Sequence, residues 1–491
     1  MIAHQLLSTV WNFCYVLRDD GVSCVDYIEQ LTLLIFMKIM DENSKLSKKR
    51  KMNLPKNLAW QSLITKQGEA LHKHYNKVLT QLGALPGMVG QIFEKTQNKI
   101  QDPHKLEKLI QLINRETWST LGADLNGNLY EHLIERMAKD TRKSAGQYFT
   151  PRPLVKVIVE CIRPLPNKTV HDPACGTGGF LLGAYDFLIK HHFSKQRKKT
   201  SFSHIFSGNE IVSSTRRLCL MNLLLQGIGS VYQKKVYIKA QDALLGSLKQ
   251  YDYVLANPPF GKTSSIKTAN KKGNLCRERV TRSSKFWVTT SNKVLNFLQH
   301  IKTILKSTGS AAVIVPDSVL FEGGAAEIVR VQLLKTTNLH TILRLPTGLF
   351  SAETVKTHVL FFDNKPQAKA PWTQSIWFYD YRTNIQHSFR KNPLQSECLA
   401  EFISCYHAKN RSQCKATWSE KNSTGRWKKI DYAEIMARDK CNLDVVWLKD
   451  NTRIDPDTLP HPTKIVEDVV DELSVTLEKF LVIKKTLMKI P

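Results

Sequence analysis

The sequence predicts an α/β protein in three parts: a helical N-terminal region, a domain of alternating strands and helices, and a helical tail. Three observations predict it. Up to about residue 140, apolar residues recur at helical spacing with sparse β-branched alternation; from about 150, short apolar runs alternate with helical stretches; and after 463, apolar residues fall on a heptad. A chain of 491 residues, 42% of them hydrophobic, can bury a sizeable core and form several domains at roughly 100–200 residues each.

In the first part, Val25, Ile28, Leu31, Leu34 and Ile35 share a helical face, as do Leu106, Leu109, Ile110 and Ile113. Between them, Ser44–Lys56 is basic and polar and reads as a solvated loop. The second part predicts strands at Thr169–Asp172, His204–Ser207, Val236–Ala240, Tyr253–Ala256, Ala311–Pro316, Thr341–Leu345 and Val359–Phe362. Strands that alternate with helices argue for a mostly parallel sheet covered on both faces. Nine Lys/Arg against one acid, Glu278, mark 262–293 as a long basic loop. Trp372–Tyr381 is a candidate strand, and the polar, basic Asn410–Trp427 a loop. In the tail, Val466, Val470, Leu473, Leu477, Phe480, Lys484 and Leu487 follow a 4-3 spacing, a seam suited either to docking a partner helix or to packing on its own domain.

The net charge of +28 makes a polyanion the leading partner and excludes an acidic solvating protein. A membrane surface is the rival reading, but no apolar run reaches the ~18–20 residues of a spanning helix. The first twenty residues lack a basic start followed by a small-residue cleavage site, so no signal peptide is expected. Ten cysteines without a Cys-x-x-Cys pair read as reduced thiols, with neither a disulfide frame nor a metal site, and cytoplasm as the compartment.

Two motifs carry chemistry. His171–Phe180 reads H-D-P-A-C-G-T-G-G-F between a strand and a helix. Its glycines remove side chains where the chain turns sharply, letting a ligand approach the backbone. It is neither a G-x-G-x-x-G dinucleotide motif nor a phosphate-cradling G-K-[ST] loop. A nucleoside bearing a positive sulfonium fits better, with Asp172 favouring the charge; a plain structural turn is the alternative. Glu210 and Asp242 stand at the ends of the next two strands, where one can accept from ribose hydroxyls and the other from an adenine amine, or where each simply caps a helix.

The second motif, Tyr253–Gly261, reads Y-V-L-A-N-P-P-F-G. A strand delivers Asn257 to its carboxyl end, and Pro258 and Pro259 hold the chain extended. The Asn257 amide oxygen and the Pro258 carbonyl are then two acceptors suited to an exocyclic amine, and Phe260 is a flat face for a base. A proline-terminated strand with a buried Phe is the alternative.

Taken together, Asp172-Pro-Ala-Cys-Gly-Thr-Gly-Gly-Phe and, 85 positions later, Asn257-Pro-Pro-Phe resemble the S-adenosylmethionine-dependent DNA amino-methyltransferases, in the gamma order and with the adenine-N6 form of the catalytic motif. The resemblance extends to W-N-F-C-Y-V-L-R-D-D-G-V at 11–22, Y-I-E-Q-L-T-L-L-I-F-M-K at 27–38, G-N-L-Y-E-H-L-I-E-R at 127–136 and A-G-Q-Y-F-T-P-R at 145–152. It continues through 286–301, V-P-D-S-V-L-F at 315–321, I-L-R-L-P-T-G-L-F at 342–350 and N-L-D-V-V-W-L-K-D at 442–450. These blocks resemble the M (modification) subunit of type I restriction–modification enzymes.

That resemblance implies a helical domain over 1–140, a Rossmann-like S-adenosylmethionine-dependent methyltransferase domain over 141–440, and a helical, subunit-docking tail over 441–491. It implies that Gln147, Tyr148, Phe149, Thr150, Pro151 and Arg152 cover the methionine part of the cofactor, with Thr177, Gly178 and Gly179 beneath it. Asp172 belongs to the same site, Glu210 takes the ribose and Asp242 the adenine. Asn257, Pro258, Pro259 and Phe260 hold the target base, which must flip out of double-stranded DNA. Cys175 is no nucleophile, because the methyl moves directly and no His is placed to activate the thiol. The implied partners are a specificity subunit that supplies sequence choice, with two copies of this chain per specificity subunit, and a restriction subunit in the full complex. Ser351–Val355 departs from a Gly-containing stretch usual in the family. A catalytically inactive DNA-binding scaffold is the main competing function, and a methyltransferase of RNA or protein glutamine is the third.

Overall fold

The computed structural model describes residues 24–46, 54–118, 150–192, 205–229, 237–245, 249–261, 286–350, 355–388 and 392–450, the backbone of 265–269 and 275–279, and scattered positions between 463 and 477. Two compact units divide the chain, Met1–Val446 and Trp447–Pro491.

The first unit starts with helices α1 (Cys24–Leu46), α2 (Trp60–Ile64), α3 (Gly68–Gly83), α4 (Gly87–Phe93) and α5 (Pro103–Arg115). Local chemistry explains α5: Asp102 caps it by accepting from the His104 and Lys105 amides, and Pro103 occupies the first turn, where a missing N–H costs nothing. Leu106, Leu109, Ile110 and Ile113 are all buried, as their spacing predicts, and so are Leu31, Leu34 and Ile35 of α1. The predicted loop at 44–56 begins late, since α1 continues to Leu46; 47–53 lie outside the described residues.

Next come α6 (Arg152–Ile162), β1 (Val170–Asp172), α7 (Gly179–His192), β2 (Phe206–Asn209), α8 (Ser213–Leu225), β3 (Ile238–Lys239) and β4 (Tyr251–Ala256). The chain continues through β5 (Ser265–Ala269), β6 (Leu275–Arg279), α9 (Lys293–Ile304), β7 (Leu305–Pro316), α10 (Ser318–Phe321) and α11 (Ala325–Thr336). The rest of this unit holds β8 (Thr337–Leu345), β9 (Thr357–Asn364), β10 (Ser375–Asp380), α12 (Ala400–Tyr406), β11 (Trp427–Asp431) and α13 (Tyr432–Ala437).

Among the described residues, nine strands form one sheet in the order β11-β10-β8-β9-β7-β4-β1-β2-β3. From β3 to β7 every pair is parallel; β9 lies antiparallel between β7 and β8, and β11 antiparallel to β10. The carboxyl ends of β1, β2, β3, β4, β7, β8 and β10 therefore line one edge. The winding reverses between β1 and β4, and a crevice at such a switch point is where open α/β sheets bind ligands. Both faces are covered: Ala312, Ile314, Val359 and Phe361 join the main core, while the alternating Val313, Val315, Leu360 and Phe362 are buried on the other side.

Arginines join the helical region to the sheet domain. From α8, Arg216 donates to Gln91 Oε1 at 2.6 Å, while Arg217 donates to the Ile92 and Glu94 carbonyls and pairs with Glu29. At the carboxyl edge, Arg344 is fully buried between Asp380, at 2.9 Å, and Asp444, at 2.6 Å. Arg382 bridges Asp444 and Asp317, and His358 Nε2 lies 2.6 Å from Asp317. Burial works against a charged Asp317, but His358 and Arg382 hold its carboxyl below the usual range.

Several expectations need correcting. The basic stretch after Lys262 is not all loop, because β5 and β6 pair as an antiparallel hairpin. Each run is only five residues, S-I-K-T-A and L-C-R-E-R, so no periodicity announces it; the pairing depends on the partner strand. The candidate strand at 372–381 contracts to Ser375–Asp380, and β7 starts earlier than expected, at Leu305. In the second unit the described positions between 463 and 477 are helical, with Val466, Val470, Leu473 and Leu477 exposed; Phe480, Lys484 and Leu487 lie outside them. No helix among the described residues is long and apolar enough to cross a membrane.

Candidate active site

Sheet topology brings together motifs that lie far apart in the chain. Asp172 ends β1, Glu210 follows β2, Asp242 follows β3 and Asn257 follows β4, so all four occupy the carboxyl edge of adjacent strands.

Between β1 and α7, the glycine loop is held from three sides. Asp172 accepts from the Ala174 amide at 3.0 Å, closing the turn that starts the loop. Burial, with Glu210 adding to it, pushes the Asp172 carboxyl up to about 8 although the Ala174 bond opposes the shift. Glu210 accepts from the Gly176 amide at 3.0 Å and from the Val212 amide at 2.8 Å. Burial raises its pKa as well. The Ile211 amide also acts on this carboxylate, and the acceptor capacity left over is open to a hydroxyl donor. On the third side, Asn222 of α8 donates to the Thr177 carbonyl at 3.1 Å.

Glycine is required inside this loop. Gly178 has φ +90°, and a Cβ there would stand 2.9 Å from Cys219 Sγ; Gly176 has φ +54° with open space around it. Cys175 is buried with its Sγ 3.9 Å from Cys219 Sγ, and burial pushes its thiol far above the ordinary range, so it is no nucleophile. Asp242 accepts from the Leu244 amide at 2.9 Å, the geometry of a helix cap, and is half-buried at the edge of the same row.

Two contacts tie the segment before α6 to both motifs. Arg152 donates to the Gly179 carbonyl at 3.2 Å, and the Asn257 amide nitrogen donates to Thr150 Oγ1 at 3.0 Å. In this arrangement the Asn257 amide oxygen is left as the acceptor. Pro258 is buried, Pro259 half-buried, and Phe260 half-buried against the main core. Pro151 precedes α6 as its N-cap. Gln147, Tyr148 and Phe149 lie outside the described residues, as does most of the 351–355 departure.

Known proteins are similar to this one along nearly the whole chain. Residues 121–449 match the family model described as N-6 DNA Methylase, and 6–113 match that of the HsdM N-terminal domain. The methylase subunit of the type I restriction enzyme EcoKI of Escherichia coli is 34% identical over 97% of this chain and 94% of its own. That of StySPI of Salmonella potsdam is 34% identical over 96% and 93%. The chain belongs to the type I DNA methylase subunits.

Solved structures agree. The crystal structure of the EcoKI M protein covers 98% of this chain and 96% of its own at 30% identity and TM-score 0.52. A Vibrio vulnificus protein, described as a modification subunit of a type I restriction enzyme, covers 88% and 93% at 25% identity and TM-score 0.68. As a methylase subunit of this family the chain is an adenine-specific DNA methyltransferase whose cofactor is S-adenosylmethionine.

The residues present fit that cofactor: an open glycine loop, and acids at three successive strand ends. Sequence reasoning missed Asn222 and Cys219, which shape the loop from α8. Asn222 did leave a signal, a lone amide within the apolar run L-C-L-M-N-L-L-L, where a buried polar side chain must have a partner.

Proposed function

We propose that this methylase subunit binds S-adenosylmethionine along the ends of β1, β2 and β3 and receives a flipped adenine at Asn257–Phe260. The observation that carries this reading is the Asn257–Thr150 hydrogen bond, because it joins the catalytic motif to the segment that Arg152 anchors on the glycine loop. The cofactor supplies an electrophilic methyl on sulfur.

The chain's own part is to bind, orient and accept charge. Glu210 receives ribose hydroxyls through its remaining lone pairs, and Asp242 receives the adenine amine of the cofactor. At the target, the Asn257 amide oxygen and the Pro258 carbonyl accept the two amine protons, which directs the nitrogen lone pair at the methyl and stabilises positive charge as it develops. Phe260 replaces the stacking that the flipped base has lost.

The partners belong to the same proposal. The relatives are subunits of type I restriction enzymes by name. We assign this chain a specificity subunit that chooses the sequence, two copies of itself per specificity subunit, and a restriction subunit in the full complex, all in the cytoplasm. The +28 charge then supplies affinity for DNA phosphates without sequence preference.

The purified chain alone should bind duplex DNA weakly, with a steep salt dependence, and methylate a defined site only when a specificity subunit is added. Methylation of one defined sequence by the chain alone refutes the partner assignment. Full activity of Asn257→Ala in the reconstituted complex refutes the catalytic role given to that residue.

A further inference from the structure

The basic insertion that follows Asn257–Gly261 is not used by the methyl-transfer site. Among the described residues its two strands, S-I-K-T-A (β5) and L-C-R-E-R (β6), pair only with each other, as a sheet apart from the nine-stranded one. Register sorts their charges. Ser265 stands opposite Arg279, Lys267 opposite Arg277, and Ala269 opposite Leu275. Residues two apart on a strand, and residues directly opposite in an antiparallel pair, belong to one face. Lys267, Arg277 and Arg279 therefore share a face, which holds every cation of the two strands. The alternate face carries Ile266, Thr268, Cys276 and Glu278, and its one charge is acidic.

This sorting costs the free hairpin stability. Lys267 and Arg277 are directly opposite, so their Cβ atoms lie ~5 Å apart, and like charges so placed repel. Glu278, the acid that would offset them, is on the other face. A lone two-stranded hairpin is marginal in water even without such repulsion. A polyanion laid on the cationic face turns the repulsion into attraction.

Chain connectivity places that face beside the catalytic motif. Ser265 comes four residues after Gly261, at most ~14 Å of chain away. Arg279 pairs with Ser265, so both strands of the hairpin are rooted there. Five residues per strand then extend ~17 Å from the root. The major groove of a duplex, about 12 Å wide, admits a two-stranded ribbon of this kind. The five residues that join the strands, N-K-K-G-N, add two more lysines.

We propose that β5 and β6 form a DNA-contacting arm whose Lys267–Arg277–Arg279 face takes phosphates of the duplex beside the flipped adenine. Such an arm presupposes the target site at Asn257–Phe260, and it holds the duplex so that the base reaches that site. Phosphate contacts fix position and carry no sequence information, so target choice stays outside the arm.

Two variants separate the face from the charge. Lys267→Gln/Arg277→Gln/Arg279→Gln removes three cations. Lys267→Thr/Thr268→Lys/Arg277→Glu/Glu278→Arg keeps composition and net charge but moves two cations to the other face. For the full chain on a plain duplex, the slope of log affinity against log salt should flatten by about three in the first variant and about two in the second. In the complex reconstituted with a specificity subunit, both should raise the KM for DNA at least about tenfold, with S-adenosylmethionine affinity and melting temperature unchanged. Lys267→Arg/Arg277→Lys/Arg279→Lys should behave as wild type. A wild-type slope in the first variant overturns the proposal. Wild-type binding by the exchanged variant also overturns it, since net charge alone would then suffice. So does lost assembly with the specificity subunit at unaltered duplex binding, which gives the face to a subunit contact. Duplex binding is read without methylation, so an inactive wild-type complex counts against the target site and leaves the slopes to judge the arm.

Discussion

Alanine at Gly178 and alanine at Gly176 should have very different effects on cofactor binding, although the two glycines are two residues apart in one loop. At Gly176 the backbone sits at φ +54°, inside the narrow left-handed region, and nothing lies within 4 Å of the new methyl. Only the strain of a left-handed L-residue applies there, about 1 kcal/mol. At Gly178 the φ of +90° falls outside that region, a strain of ~1–3 kcal/mol. The methyl would also meet Cys219 Sγ at 2.9 Å, and that sulfur cannot swing away freely with Cys175 Sγ 3.9 Å from it. Such crowding costs a further ~1–3 kcal/mol. The loop relieves both by leaving its binding conformation, and apparent affinity falls with the population that remains competent. Calorimetry should therefore show S-adenosylmethionine weakened about fivefold by Gly176→Ala and at least ~30-fold by Gly178→Ala. Adding Cys219→Ala to Gly178→Ala should recover the crowding part but not the strain, a coupling of about 1–2 kcal/mol in a double-mutant cycle. Equal losses at the two glycines, or no recovery in the double variant, would refute the steric account of this loop.

Other expectations follow from the site and its support. Asn257→Ala should lower methyl transfer ~10²–10³-fold with near-normal cofactor affinity; unaltered turnover rejects the role. Phe260→Ala should lose a stacking face worth roughly 1–3 kcal/mol, whereas Phe260→Tyr or Trp should be mild, as read by methylation of a site that must flip. Asp172 has a folded pKa near 8, raised from the ordinary carboxylate range, so the native state holds a proton that the unfolded chain has released. Its contribution to stability is intact below pH ~4 and is lost as pH rises towards 8, so thermal melts of Asp172→Asn should show a smaller decline across that window. The same titration should make S-adenosylmethionine, with its sulfonium, gain on the neutral S-adenosylhomocysteine as pH rises to 8; a flat affinity ratio contradicts the placement of Asp172 beside the sulfur. Arg344→Ala should cost ~3–5 kcal/mol in denaturant unfolding, because it leaves Asp380 fully buried without its partner.

The amino-acid sequence by itself determined the local elements and the two motifs. Periodicity located α5 and the buried faces of α1, because a helix side chain's environment depends mainly on neighbours three and four residues away. Apolar runs ending in Asp172, Glu210 and Asn257 marked strand ends, because fully buried strands must be apolar along their length. The family, the cofactor and the chemistry were legible for the same reason: short backbone-level motifs carry them. What remained unreadable depends on pairing at a distance. The hairpin of β5 and β6, the antiparallel insertion of β9 between β7 and β8, and the edge strand β11 are choices of partner that no local pattern encodes.

Tertiary structure alone decided which side chains complete the site. Thr150 meets Asn257 across 107 positions and Asn222 reaches Thr177 across 45, in each case because β1 and β4 are neighbours and α8 packs behind the loop. It also decided the state of the acids. The sequence places Asp172 as a charged acid at a strand end, but the fold removes its water and raises its pKa. Desolvation is a property of everything packed around a group, and only the folded chain specifies that environment.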